Sequence, residues 1–253
     1  MNALDRFRLD GRVAIVTGAS SGLGEGIARA LADAGARVAV VARRYERLAK
    51  LAGDIGGAAV ACDLADAAEV AAVVPAVVDK LGAPEILVNA AGGYTSRDRA
   101  EDEDLGAVRR TIDLNLVAPF LLAQAAYPHL AAAGRGAVVN IFSIGGQVGI
   151  PGIPQASYAA SKLGLSGLTV ELAVQWARKG VRVNTIAPGF FRSELTGELY
   201  DEERGAAWLH RNTPLPYEGT VDDLAGAVLW LASDAGRYVT GQTIIIDGGW
   251  TAR

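Results

Sequence analysis

The chain has 253 residues, 51% of them hydrophobic and 21% charged, which is enough to bury one large core or two small ones and excludes disordered and fibrous classes. Twenty-four Lys and Arg against 28 Asp and Glu give a formal net charge of −4, so no basic surplus is present to neutralise a nucleic-acid backbone. One cysteine, Cys62, and two histidines supply neither an internal disulfide nor a soft-ligand metal site, so we expect no metal and a reducing, cytoplasmic setting.

Residues 1–10 carry Asp5, Arg6, Arg8 and Asp10 without an apolar leader. The most apolar long stretch, 114–133, is interrupted by Asn115, Pro119, Gln124, Pro128 and His129, so neither an export signal nor a membrane span is expected. Short runs rich in β-branched residues recur at 13–17, 38–41, 58–62, 86–89, 137–142, 181–186 and 243–246. Most are apolar without alternation, the pattern of strands covered on both faces, and the stretches between the first six leave room for helical crossovers. Helices are expected at 27–34, 45–51 and 70–81, the first and last stopping at Gly35 and Gly82. With no repeat and no linker, the expectation is one α/β domain over 1–253: a Rossmann-type, doubly wound, parallel seven-stranded sheet with helices on both faces. The long connection 189–219, with Phe190, Phe191, Trp208, Pro214 and Pro216 among charges, is expected to be an irregular substrate-binding lid.

Directly after the first strand stands Thr17-Gly18-Ala19-Ser20-Ser21-Gly22-Leu23-Gly24, followed by a helix. Glycines there permit a tight turn and close backbone approach, and the free N–H groups and positive dipole end of a helix favour a pyrophosphate. The competing reading is a tight turn with no ligand. At the end of the second strand, an acid would bond a cofactor ribose 2′-hydroxyl, whereas Arg43 and Arg44 suit a 2′-phosphate, so NADP(H) is favoured over NAD(H). In Tyr158-Ala159-Ala160-Ser161-Lys162, helical i, i+4 spacing puts a phenol and an ammonium on one face, and the cation is expected to pull the phenol below its reference of about 10. Ser143 follows the fifth strand, at the sheet edge where open α/β folds bind ligands, and can donate to a carbonyl oxygen gaining charge. The run Glu101-Asp102-Glu103-Asp104 precedes a helical stretch, where acids suit the dipole without any cation. Cys62 reads as a small core residue.

Taken together, these motifs resemble the short-chain dehydrogenase/reductase family over essentially the whole chain: the glycine motif from Thr17 to Gly24, Asn89-Ala90-Ala91-Gly92 after the fourth strand, Ser143 with Tyr158 and Lys162, and Pro188-Gly189 after the sixth. The resemblance implies an oxidoreductase interconverting a ketone and a secondary alcohol. In that scheme Ser143 polarises the carbonyl, Tyr158 is the general acid/base, Lys162 tunes Tyr158 and holds the nicotinamide ribose, and Asn115 holds a water in the proton relay. It places Gly18, Ser20, Ser21, Gly22, Leu23 and Gly24 at the pyrophosphate, Asp63 and Leu64 at the adenine, and Asn89, Ala90 and Gly92 by the ribose. Pro188, Gly189 and Ser193 fall by the nicotinamide. Ala90 stands where the family usually has a second Asn, and Ser193 where it usually has Thr. The resemblance also implies a homotetramer, with 222–231 and 243–250 supplying interface. The lid and the ending Asp247-Gly248-Gly249-Trp250 resemble the gluconate-dehydrogenase-like members, and Arg97, Arg99 or Arg192 could recognise a substrate carboxylate. The alternatives are a 3-oxoacyl thioester reductase and a catalytically silent NADPH-binding protein.

Overall fold

The computed structural model describes residues 2–252. Seven strands, β1 (Val13–Thr17), β2 (Arg37–Ala42), β3 (Ala58–Ala61), β4 (Ile86–Asn89), β5 (Ala137–Ile141), β6 (Arg182–Pro188) and β7 (Thr243–Ile246), form one all-parallel sheet in the order β3-β2-β1-β4-β5-β6-β7. The order reverses between β1 and β4, so the loops leaving the carboxyl ends of these two strands diverge and open a cleft.

The helices are α1 (Gly22–Asp33), α2 (Tyr45–Ile55), α3 (Ala67–Leu81), α4 (Leu105–Ile112), α5 (Ala118–Ala133), α6 (Ala156–Trp176), α7 (Gly197–Asp201), α8 (Glu203–Asn212) and α9 (Val221–Ala232). Alternate strand residues feed two separate cores. Ala14 and Val16 of β1 pack with Ile27 and Leu31 of α1 and Leu224, Val228 and Leu231 of α9 on one face. On the other, Val13 and Ile15 pack with Val73 and Val77 of α3, Leu122 and Leu130 of α5 and Leu172 of α6. A third, smaller cluster of Phe142, Tyr200, Leu209 and Trp250 lies under the connection from β6 to α9.

The expected strands are all present, with ends displaced by a residue or two. β6 runs on to Pro188, which pairs with Ile246 at the strand's end. The first helix begins at Gly22, five residues before the expected start, because the glycines Gly22, Gly24 and Gly26 carry no helical signal in the sequence. The segment 189–219 is not irregular, since α7 and α8 occupy much of it.

The helical run Leu105–Ala133 is long and apolar enough, by length and composition, to cross a membrane. Here its α5 portion buries Ala118, Leu122, Ala126 and Leu130 against α3 and the sheet. Between α4 and α5 the run widens into a π-turn, Asp113–Val117, a distortion found most often at functional sites. Of the acidic run, Asp104 caps α4 by accepting from Ala107 N at 3.1 Å, and Glu103 accepts from Ser157 at the start of α6.

Arg12 ties the amino ends of the strands together. Its guanidinium is 3% exposed and donates to Glu85 Oε2 (3.1 Å), Ala232 O (3.1 Å) and Arg135 O (3.0 Å). Arg12→Met keeps the apolar stem but leaves two carbonyls short of a donor. It should cost about 2–4 kcal/mol of unfolding free energy in a urea melt.

Candidate active site

Two adjoining cavities occupy the cleft, of about 370 and 280 Å³, sharing Gly92 and Tyr94 in their walls. The smaller is lined by Gly18, Ser20, Arg43, Arg44, Asp63 and Leu64. These come from the turns after β1, β2 and β3, three elements that the parallel order brings side by side. The turn after β1 is glycine by necessity: Gly18 has φ +68°, and a Cβ there would lie 2.7 Å from Ala91 Cα. Thr17 Oγ1 accepts from Ala91 N at 3.1 Å and so joins this turn to the loop after β4.

The larger cavity holds Ser143, Tyr158 and Lys162 on one wall. Leu23, Ala90, Pro188, Gly189 and Ser193 lie on the others. Ser143 follows β5, and its Oγ accepts from Gly145 N at 3.0 Å, which fixes the hydroxyl at the cavity wall. Tyr158 and Lys162 sit one turn apart in α6, 8% and 3% exposed. The Tyr158 ring meets Tyr94 edge to face, 5.8 Å between centroids at 80°. Lys162 Nζ donates to Ile141 O at 2.8 Å and stands 5.9 Å from the Tyr158 ring centroid. A Cβ on Gly92 would lie 2.7 Å from Lys162 Nζ, so the ammonium needs a glycine beside it.

The electrostatics correct one expectation. Burial pushes the Tyr158 phenol above its ordinary value and outweighs the opposing hydrogen bond with Ser143, with repulsion from Tyr94 adding to the rise. Lys162 does not lower it; burial instead pulls Lys162 itself down to about 8. Tyr158 is therefore a protonated phenol at neutral pH, with a buried amine on the same helix face.

Asn115 lies behind the wall, fully buried in the π-turn. Its Nδ2 donates to Gly93 O (2.8 Å) and Ser161 Oγ (3.0 Å), while its Oδ1 accepts from Gly93 N (3.0 Å). Ser161 Oγ in turn donates to Tyr158 O at 2.7 Å, so one amide pins the loop after β4 to the helix bearing Tyr158. Ser21, Gly22 and Gly24 form the entry to α1 without lining either cavity, although a Cβ on Gly22 would face Ser193 Cβ at 3.5 Å. The Asn89 side chain, expected beside a cofactor ribose, lies away from both cavities. It is 1% exposed and donates to Asn140 Oδ1 at 2.8 Å, because the last turn of β4 directs it toward β5. Cys62 is 2% exposed and its thiol is pushed up to about 12 by burial, so it stays protonated.

The arginines divide. Arg97 lines the larger cavity, pairs with Glu198 at 3.0 Å and lies over the Tyr94 ring at 4.8 Å. Arg192 is held off by Asp201 (2.7 Å), and Arg99 by Glu101 (3.7 Å), so neither expectation of a substrate contact is met. Tyr94 and Gln155, which carried no sequence signal, line the larger cavity, as do Leu195, Leu199 and Glu202 of the lid. Glu194 bridges to Arg44 and to Arg47, the latter one helical turn past Arg44. The i, i+3 spacing of Arg44 and Arg47 was a usable signal for that cluster, whereas Glu194 had none.

A family described as enoyl-(acyl carrier protein) reductase matches residues 18–251. The chain is 41% identical over 252 residues to the D-threitol dehydrogenase of Mycolicibacterium smegmatis, covering 98% of this chain and 95% of that one. It is 39% identical over 245 residues to the 3-oxoacyl-(acyl-carrier-protein) reductase of Rickettsia bellii, covering 95% and 97%. A crystal structure of a gluconate 5-dehydrogenase from Burkholderia cenocepacia, in complex with NADP and tartrate, superposes with a TM-score of 0.92 at 40% identity over the whole of both chains.

Proposed function

We infer that this chain, which belongs to the short-chain dehydrogenase/reductase family, is an NADP(H)-dependent oxidoreductase that interconverts a small hydroxylated ketone and its secondary alcohol. Membership makes it a dehydrogenase acting on alcohols and ketones. The observation that carries the finer reading is the convergence of Ser143, Tyr158 and Lys162 on one cavity wall beside a glycine-built cleft that ends in Arg43 and Arg44.

The cleft fits a dinucleotide. Gly18 lets the backbone approach closely, the start of α1 offers N–H groups, and Asp63 and Leu64 flank the far end. Gly18 to Gly24 would hold the pyrophosphate, Arg43 and Arg44 the 2′-phosphate, and Ser193, Pro188 and Gly189 the nicotinamide end. When bound, the nicotinamide supplies the hydride. The protein's residues manage charge and protons. Ser143 donates to the carbonyl oxygen as it gains charge, and Tyr158 Oη delivers the proton. Because burial keeps Tyr158 protonated, the resting site is set for reduction. Lys162, with its proton loosened to about 8, favours the phenolate once Tyr158 has given its proton up. Asn115 fixes the loop and helix between which these groups face each other.

The polar groups at the mouth, Arg97, Gln155, Glu198 and Glu202, suit a short polyol-derived ketone or keto sugar acid. Ile150, Ile153, Leu195 and Leu199 in the same wall support the second reading, a 3-oxoacyl thioester. A silent nucleotide-binding role fits poorly with a complete and mutually aligned set of polar groups. Exposed apolar faces support self-association as a homotetramer. Beside the expected β7 edge, where Ile245 is 43% exposed, Phe120 of α5 and Leu163, Val170 and Val174 of α6 are uncovered. We read residues 2–252 as a reductase of the cytoplasm, not inserted in membrane, with α5 packed into the fold and Cys62 kept as a thiol.

Absorbance at the nicotinamide band, with NADPH or NADH and a panel of keto-polyols, keto sugar acids and 3-oxoacyl thioester mimics, tests this directly. NADPH should be oxidised faster than NADH, with a keto-polyol or keto sugar acid. The double variant Arg43→Ala/Arg44→Ala should raise the Kd for NADPH by about tenfold or more while moving that for NADH little. A preference for NADH in the unmodified protein would overturn the cofactor assignment.

A further inference from the structure

Arg44 and Arg47 are not vacant cations. Arg44 lies at the start of α2, and its Nε and Nη2 donate to Ser20 Oγ at 3.1 and 2.9 Å, with Nη2 reaching Ser21 Oγ at 2.8 Å. Onto the same donors comes a carboxylate from the other side of the cleft. Glu194 Oε2 takes Arg44 Nη1 at 2.9 Å and Ser21 Oγ at 3.0 Å, and Oε1 takes Arg47 Nη1 at 2.6 Å. Two guanidiniums and a hydroxyl around one anion are the donor set that a phosphate monoester uses. These contacts hold the Glu194 carboxyl below its usual range. Arg43 lines the same cavity and forms no ion pair among the described residues.

Glu194 belongs to the lid. Its neighbour Ser193 exchanges hydrogen bonds with Thr196, and Leu195 O accepts from Tyr94 Oη at 3.2 Å, so the segment that carries the carboxylate also closes the larger cavity. We propose that Glu194 is a specificity-determining residue: an internal anion that competes with the adenosine 2′-phosphate for Arg44, Arg47 and Ser21, and whose displacement frees the lid. The proposal rests on the cofactor reading above only in naming the phosphate. It follows that the protein binds NADPH more weakly than its arginines alone would allow, that NADH meets no such competition, and that lid position and phosphate binding share one set of ligands.

The test compares the unmodified protein, Glu194→Gln and Glu203→Gln, the last removing an exposed acid of α8 that lines neither cavity. Kd values for NADPH and NADH are read from nucleotide fluorescence, and amide exchange across 193–202 is followed with 2′,5′-ADP, which carries the phosphate without a nicotinamide. In Glu194→Gln the ratio of the NADH to the NADPH Kd should rise about fivefold, the scale of a part-exposed ion-pair cluster, and in Glu203→Gln it should stay within about twofold. In the unmodified protein 2′,5′-ADP should speed exchange of 193–202, and in Glu194→Gln that exchange should be fast already and unresponsive. An unchanged ratio in Glu194→Gln, an equal change in Glu203→Gln, or lid exchange indifferent to 2′,5′-ADP would each overturn the proposal. The cofactor reading fails separately, if the unmodified protein prefers NADH, and a shift of the ratio in Glu194→Gln would still be seen.

Discussion

Tyr158→Phe should lower kcat for carbonyl reduction by about 10²- to 10⁴-fold, the usual contribution of a positioned general acid, with little change in folding stability. The substitution removes one oxygen and nothing else. The ring stays in its edge-to-face contact with Tyr94, and the helix, the Ser161 bond to Tyr158 O and the Asn115 amide are untouched. Stopped-flow and steady-state rates with NADPH check the first part, and a urea melt the second. Turnover at the unmodified rate would show that the proton comes from elsewhere and would end the mechanism.

Lys162→Met should remove activity and make the protein more stable. An ammonium held in the interior is disfavoured by burial, and the fall from 10.5 to about 8 corresponds to about 3 kcal/mol. The sign follows from proton counting. Below about pH 8 the lysine is charged in both folded and unfolded chains, and the full penalty applies. Between about 8 and 10.5 the unfolded chain holds a proton that the folded one has released, so stability rises with pH through that window. Met fills a similar volume without charge and forgoes only the bond to Ile141 O. At pH 7 it should raise the melting temperature by about 5–10 °C, and the rise of stability above pH 8 should flatten. Thermal melts of both proteins at pH 7 and pH 9.5 read both effects. A less stable variant, or an unchanged pH profile, would mean that the Ile141 bond and the packing around it outweigh the cost of the buried charge.

Much of this was legible in the sequence for plain physical reasons. The strands announce themselves because a parallel sheet covered on both faces admits unbroken runs such as Val13–Thr17, and Ser143, Tyr158 and Lys162 because their chemistry requires those residue types at that spacing. Burial was not legible. The cation at i+4 pointed to a lowered phenol pKa, but the direction is set by desolvation among Tyr94, the lid and the sheet, which only the folded chain assembles. Nor could local pattern show that Glu194 reaches Arg44 across 150 residues, that Asn89 finds Asn140 instead of the cleft, or that α5 and α6 leave apolar side chains uncovered. α1 starts among glycines, the residues least able to signal a helix.

The π-turn at Asp113–Val117 sets the angular phase of everything after it. An α-helix turns about 100° per residue, and the wider turn accommodates a residue more than the regular count. α4 is thereby free to face α6 while α5, in the same continuous rod, faces α3 and the sheet. Deleting one residue here would heal the helix into a regular one and rotate α5 by about 100°, carrying Leu122, Ala126 and Leu130 off the core and Asn115 away from Gly93. The number of residues in this rod is therefore as much a part of the site as any side chain, and an alteration of length would be felt here where many alterations of identity would not.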